Sequence, residues 1–268
     1  MAPTPEKSLT PIQEHMLKMF LWLRIGVGVI GLSLPILLVG CGKLVYQVPF
    51  AGSMSAYYHA TSNCWEPHDP AHPDRDTYCN VPDPAPGEGP LRNWFVGNLF
   101  FIGAAMLLMR GFSQWEDAAL DVAGVAAPLV ALFPMSWGSS FQSPLHLHIV
   151  SAVTFFFCAG FTCIFCSGKT LPQLPPNLPN RQKVIARYTA IYKFLGVIMW
   201  LAPLCVFFLM SSSWHKGFWL EAAGVSAFGA YWLVKTRELS LSQVERRVLR
   251  GELAIERKTL RGQHHVTV

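Results

Sequence analysis

The chain has 268 residues and a formal net charge of +5; 51% of its residues are hydrophobic and only 14% are charged. The charges gather at the N-terminus, in two loops and in the tail, and leave long runs nearly free of them. That segregation excludes an ordinary soluble domain, in which charge is interspersed, and points to a core built against lipid. The expected class is all-α: a polytopic transmembrane helix bundle with membrane lipid around it and no nucleic-acid partner.

A hydrocarbon core of about 30 Å needs about 20 apolar residues in a helix. Six segments meet that need: Phe20 to Gly40, Asn93 to Met109, Ala118 to Met135, Leu147 to Cys166, Ala190 to Met210 and Phe218 to Val234. Lipid-exposed open strands would leave backbone groups unpaired, so the spans are predicted as helices. Gly103, Gly124 and Gly224 with their flanking alanines suit close helix contacts. Leu38-Val39-Gly40-Cys41 resembles a lipoprotein cleavage box, but it is read as the end of an uncleaved first helix, because five more spans follow.

Lys and Arg set the orientation. Lys7 and Lys18, then Arg110, then the loop holding Lys169, Arg181, Lys183 and Arg187, then the tail from Lys235 to Arg261 alternate with loops poor in them. The positive-inside rule therefore predicts both termini in the cytoplasm. Arg24, at the inner end of the first span, is expected to snorkel. Residues 1–235 form the predicted bundle, with an outer loop over 48–91. Residues 236–268 form a basic amphipathic tail expected to lie on the anionic inner leaflet. Cys64 and Cys79 in the outer loop are expected to pair in an oxidising compartment. Cys163-Ile164-Phe165-Cys166 lies at the reducing end of a span and is read as buried apolar filling.

Reactive residue types collect in the three loops predicted to face outward. Ser53-Met54-Ser55-Ala56-Tyr57-Tyr58-His59 lies in the first. His146-Leu147-His148 closes the second, and His215 closes the third ahead of Glu221. Convergence of this kind is the signature of a pocket. An acid inside a span is costly and reads as functional. His59, His148 and His146 are the candidate metal ligands, with His148 preferred over His146 because the two point apart on a helix. Ser55, Glu221 and Asn93 are the candidate catalytic groups. Such a set could hold Zn²⁺ with a position left for water, and a zinc hydroxide attacks acyl carbon. Asp117 and Asp121, beside Arg110 and Glu116, are read as a structural ion-pair cluster.

The runs Ser53 to His59, Arg92 to Gly97, Val130 to Pro134, Phe218 to Glu221 and Trp232 to Lys235 resemble a family of bacterial six-span membrane proteins, which implies a bacterial inner (plasma) membrane. More remotely, Ser55-x-x-x-His59 with later histidines is similar to the alkaline ceramidase and adiponectin-receptor group of zinc membrane hydrolases, whose sites use one Ser, one Asp and three His. This chain has Asn93 where an Asp would be wanted, His146-Leu147-His148 in place of HxxxH, and six spans in place of seven. The resemblance implies a metal-dependent hydrolase of lipid or membrane-embedded substrates. A non-enzymatic sensor or small-molecule binding protein is the alternative, and a transporter the third reading.

Overall fold

The computed structural model describes residues 8–64, 89–137, 146–209 and 215–253, with backbone only at 206–209 and 215–216. Its elements are helical, with no strand among the described residues. The first helix, α1 (Pro11–Leu44), opens on a capping box in which Thr10 and Gln13 exchange hydrogen bonds, with Pro11 in the first turn. At 34 residues it is about 51 Å long, so it outruns the predicted span at both ends. There follow α2 (Arg92–Leu108) and α3 (Gln114–Leu132), the latter capped by Ser113. Next comes α4 (Leu147–Phe161), which runs on through a π turn (Thr162–Cys166) and a 3-10 stretch (Ser167–Gln173). Last are α5 (Arg181–Leu209), α6 (His215–Ser242) and the short α7 (Val244–Leu249).

Each of the six predicted spans falls on one of the six long helices, with shifted ends. The third stops at Leu132 rather than Met135, because Pro134 disfavours helix in the residue before it. The sixth continues eight residues past Val234 to Ser242. By length and composition, three helical stretches can cross a membrane: Pro11–Leu44, Leu147–Gln173 and Arg181–Cys205. Arg92–Leu108 is apolar but shorter.

Consecutive long helices pack on one another, and α6 packs on α1, so the bundle closes as a ring in chain order. Glycines set two of these contacts. A Cβ on Gly31 of α1 would lie 2.8 Å from the Gly229 Cα of α6. One on Gly103 of α2 would lie 2.6 Å from the Gly124 carbonyl of α3. No larger residue permits these approaches without moving a backbone.

Two apolar clusters fill the ring. The larger joins Ile102, Leu120, Phe155, Met199 and Phe228 and extends toward the α7 end. The second, at the opposite end, is built around Leu34, Leu38, Tyr57, Phe95, Val130 and Phe218. The chain after α1 supplies much of it. Within residues 51–60 every residue except Ser55 is buried. This segment plugs the ring rather than lying over it.

The tail departs from its predicted form as far as it is described. Gln243 takes a left-handed conformation (φ 51°) that ends α6, and α7 then turns back onto the bundle. There Glu245 forms a two-pronged pair with Arg24 of α1, at 2.6 and 2.9 Å. Arg24 is therefore buried and paired rather than snorkelling. The tail residues from 254 on lie outside the described residues.

Candidate functional site

The plugging segment is held from two sides. A 3-10 turn (Ser55–Tyr58) carries Tyr57 into the apolar cluster, where its hydroxyl accepts the Ala51 N–H (3.3 Å). The Gly52 carbonyl accepts the Phe218 N–H at 2.6 Å, which ties the segment to the first turn of α6. Arg92 lies over the Tyr58 ring, 5.3 Å from its centroid.

These restraints bring Ser53, Met54 and Ser55 against Glu221 in the second turn of α6. The Ser53 hydroxyl donates to Glu221 Oε1 (2.7 Å), and the Met54 N–H donates to Oε2 (2.8 Å). The Ser55 N–H donates to Ser53 Oγ (3.1 Å) and reaches Glu221 Oε2 at 3.4 Å. One carboxylate thus fixes three consecutive residues, and bonds of this charge-assisted kind are about twice as strong as neutral ones. Glu221, which belongs to a predicted span, is satisfied by a loop from another part of the chain rather than facing lipid.

On the other side, Ser55 meets His148. His148 stands in the first turn of α4 and is buried. Its Nδ1–H is shared by the carbonyls of Val130 (3.1 Å) and Phe133 (3.0 Å). The reason lies in the end of α3. The helical donor for the Val130 carbonyl would be residue 134, which is a proline and has no N–H. His148 supplies that donor. Because both carbonyls can only accept, the proton of neutral His148 sits on Nδ1 and leaves a lone pair on Nε2. The Ser55 hydroxyl lies 3.0 Å from that nitrogen and donates to it. The arrangement is a hydroxyl, an imidazole that can take its proton, and a pair of carbonyl dipoles that orient the imidazole and favour its charged form.

His59 lies beside this group. Its Nε2–H donates to the Met135 carbonyl (3.1 Å), and its ring rests against Trp137 and Tyr58. Burial pushes its pKa down to about 4, against the Met135 carbonyl, which raises it; nearby His148 and Arg92 lower it further. His59 is therefore neutral at pH 7.

Ser55, Glu221, His148 and His59 thus gather at one end of the ring. Asn93 and His146 do not join them. Asn93 is exposed on the first turn of α2. His146 is exposed at the start of α4 in a left-handed conformation (φ 52°), which turns the chain so that His148 enters the core. Among the described residues, no group of three or more His, Cys, Asp or Glu could hold a metal ion. The carboxylate that would serve as a ligand grips Ser53 and two backbone amides, and His148 Nδ1 faces carbonyls, so the donors found here do not fit the expected zinc set.

Two expectations fall partly outside the described residues. Cys64 packs at the edge of the second apolar cluster, and its expected partner Cys79 is not described. The side chain of His215 is likewise not described. At the opposite end, Arg110 pairs with Asp121 (3.0 and 3.1 Å), while Asp117 and Glu116 accept the Gly111 and Phe112 amides. The Arg110–Asp121 pair is the ion pair expected there, whereas Asp117 and Glu116 hold the backbone of the turn instead of joining it. Cys163 donates to the Tyr192 carbonyl inside the core, and Cys166 is buried nearby.

Sequence reasoning missed Ser53, whose hydroxyl links Glu221 to Ser55. It also missed Pro134, whose absent N–H explains the place of His148. The signal for the second was present: a proline four residues after Val130, followed by a histidine at the next helix start. No known protein family model, characterised protein or solved structure matches the chain.

Proposed function

We propose that the chain is a bacterial plasma-membrane protein of six spans with both termini in the cytoplasm, and that it is a hydrolase or acyl transferase acting on lipid at the outer face. Ser55 is the nucleophile, His148 the general base and Glu221 a positioning residue. The observation that carries this reading is the 3.0 Å contact from the Ser55 hydroxyl to a His148 Nε2 whose other nitrogen is held as a donor by two carbonyls. Support also comes from exposure: Ser55 alone in residues 51–60 is not buried.

In the proposed step, Ser55 Oγ attacks the carbonyl carbon of an ester or amide while its proton passes to His148 Nε2. The imidazolium then protonates the leaving alcohol or amine. Water, or an acceptor alcohol, repeats the sequence in reverse to free the acyl group. The Val130 and Phe133 carbonyls stabilise the imidazolium, and the Glu221 grip keeps Ser55 in place between turnovers. The Cys64–Cys79 disulfide belongs to this reading, as a restraint on the outer loop.

The test is release of acyl chains from phospholipids and acylated amines by purified protein in proteoliposomes. Ser55→Ala and His148→Gln should each lower turnover by about 10²–10⁴-fold, and chelators should leave it unchanged. Loss on chelation with recovery on added zinc would restore the metal-dependent reading. Turnover unchanged in Ser55→Ala would overturn the nucleophile assignment and leave the cluster as a structural clasp in a binding protein or sensor.

A further inference from the structure

The start of α2 is fixed beside the plugging segment. Gly89, just ahead of the helix, packs against that segment: a Cβ there would lie 2.7 Å from the Tyr58 carbonyl oxygen and 2.9 Å from that of Ala60. The Gly89 carbonyl accepts the Arg92 N–H at 3.0 Å. The first side chain of α2 is thereby brought to Tyr58, and the Arg92 guanidinium carbon stands 5.3 Å from the centre of that ring.

Tyr58 in turn is tied to the nucleophile. Ser55 and Tyr58 open and close one 3-10 turn. Side chains three apart in such a turn lie one above the other, about 6 Å apart along its axis. Arg92 therefore stands about one turn beyond Ser55 along the same face. Its charge is felt at the neighbouring His59.

Arg92 differs from the cations at the α7 end. It is exposed, and among the described residues no carboxylate pairs with it. Attraction to the Tyr58 ring holds the guanidinium from one side. Its N–H donors remain available to an acceptor from outside, and their fork matches two oxygens of a phosphate. Trp94 of α2 and Trp219 of α6 are both exposed at this end. Indole rings on a membrane-spanning bundle gather at head-group depth, where phosphates and acyl esters of lipids also lie.

We propose that the substrate of the Ser55 site is a glycerophospholipid, and that Arg92 selects it by holding the phosphate while an acyl ester meets Ser55; this inference rests on the hydrolase reading. The sn-2 ester oxygen and the phosphate ester oxygen sit on adjacent glycerol carbons. The scissile carbonyl and the phosphorus are then separated by a reach of the same order as the rise of one 3-10 turn, about 6 Å. Ser55 Oγ bonds to the acyl carbon, and the bond from that carbon to the glycerol oxygen breaks. The proton held by His148 passes to that oxygen, which leaves a lysophospholipid, and water then frees the fatty acid.

The test uses the full-length Ser55→Ala protein in detergent, which keeps the lipid unreacted. Native mass spectrometry reads binding in separate arms with phosphatidylglycerol, diacylglycerol of the same acyl chains, and inorganic phosphate. Phosphatidylglycerol should be retained at least about tenfold better than diacylglycerol. Adding Arg92→Gln should erase most of that preference. Arg92→Lys should keep part of it, a rescue that a purely structural role for the side chain would not give. Equal retention of the two lipids, or a preference that survives Arg92→Gln, would overturn the proposal. Inorganic phosphate that binds and displaces the lipid would make a free anion the ligand and overturn the lipid source. Turnover by the wild-type protein separates the two readings. Cleavage of both lipids at one rate would defeat the role of Arg92 alone. A binding preference that depends on Arg92, with neither lipid cleaved, would defeat the hydrolase alone and keep Arg92 as the phosphate-binding residue.

Discussion

The two ends of the bundle bury polar groups in opposite ways. At the α7 end the groups are charged and matched. Lys235 (3% exposed) meets Glu238 (0% exposed) at 2.6 Å, with Thr170 donating to the same carboxylate (2.9 Å) and Tyr192 joining at 3.3 Å. Arg24 and Glu245 pair at 2.6 Å. At the Ser55 end, one carboxylate holds a loop through neutral donors, and two neutral histidines lean on backbone carbonyls. The Arg24–Glu245 pair locks two helices, the Lys235–Glu238 pair lies within α6 and binds Thr170 and Tyr192 from neighbouring segments, and both leave little that can react. A hydroxyl donating to an imidazole lone pair stores no net charge and needs no pair to be broken before a proton moves. That difference is what the proposed division into a structural end and a reactive end rests on.

The sharpest way to break the comparison is to unbalance the structural end. Lys235→Met leaves Glu238 buried without its cation and should cost about 3–5 kcal/mol, read as a large loss of thermal stability in detergent. Adding Glu238→Met should recover most of it. A single variant as stable as the wild type would contradict the role given to the pair.

The pH response should come mainly from the other end. His59 titrates near 6.5 in an unfolded chain and at about 4 in the fold. Its folded pKa is depressed, so on acidification the unfolded state binds the proton first. Stability is full above pH 6.5, falls between 6.5 and 4, and levels off below 4. The total is at most about 3 kcal/mol. Melting curves across this window should show the slope, and His59→Gln should flatten it. An unchanged slope in that variant would assign the response to other groups.

Glu221→Gln keeps the size of the side chain but replaces an acceptor oxygen with a donor facing the Met54 or Ser53 donor. It should cost about 1.5–3 kcal/mol and reduce turnover through loosened Ser55 placement. Turnover with a wild-type rate would remove Glu221 from the site. The smallest effect is expected at Asp121→Asn, since Arg110 and Asp121 are 53% and 43% exposed; a change under about 1 kcal/mol in the same melt is the expected result.

The sequence made the helices legible because apolar runs of span length are a local signal, and it placed Ser55, His148 and Glu221 at one end because alternation fixes which loops share an end. It did not reveal which polar groups touch. Arg24 and Glu245 lie 221 positions apart, and nothing local marks Arg24 as paired rather than snorkelling. Lys235 reads as one more basic residue of the tail, yet it is buried because α6 continues past it to Ser242. Asn93 and His146 carry plausible chemistry, but helix phase and the left-handed turn at His146 leave both exposed. Residue type was readable; direction was not.

If Ser55 is an activated nucleophile, covalent labelling will read it out. Membranes containing the full chain should be treated with a fluorophosphonate and the modified peptide identified by mass. One adduct is expected, on Ser55, formed at least about 10²-fold more slowly in His148→Gln although that variant remains folded. No adduct on Ser55, or one formed equally fast without His148, would contradict it.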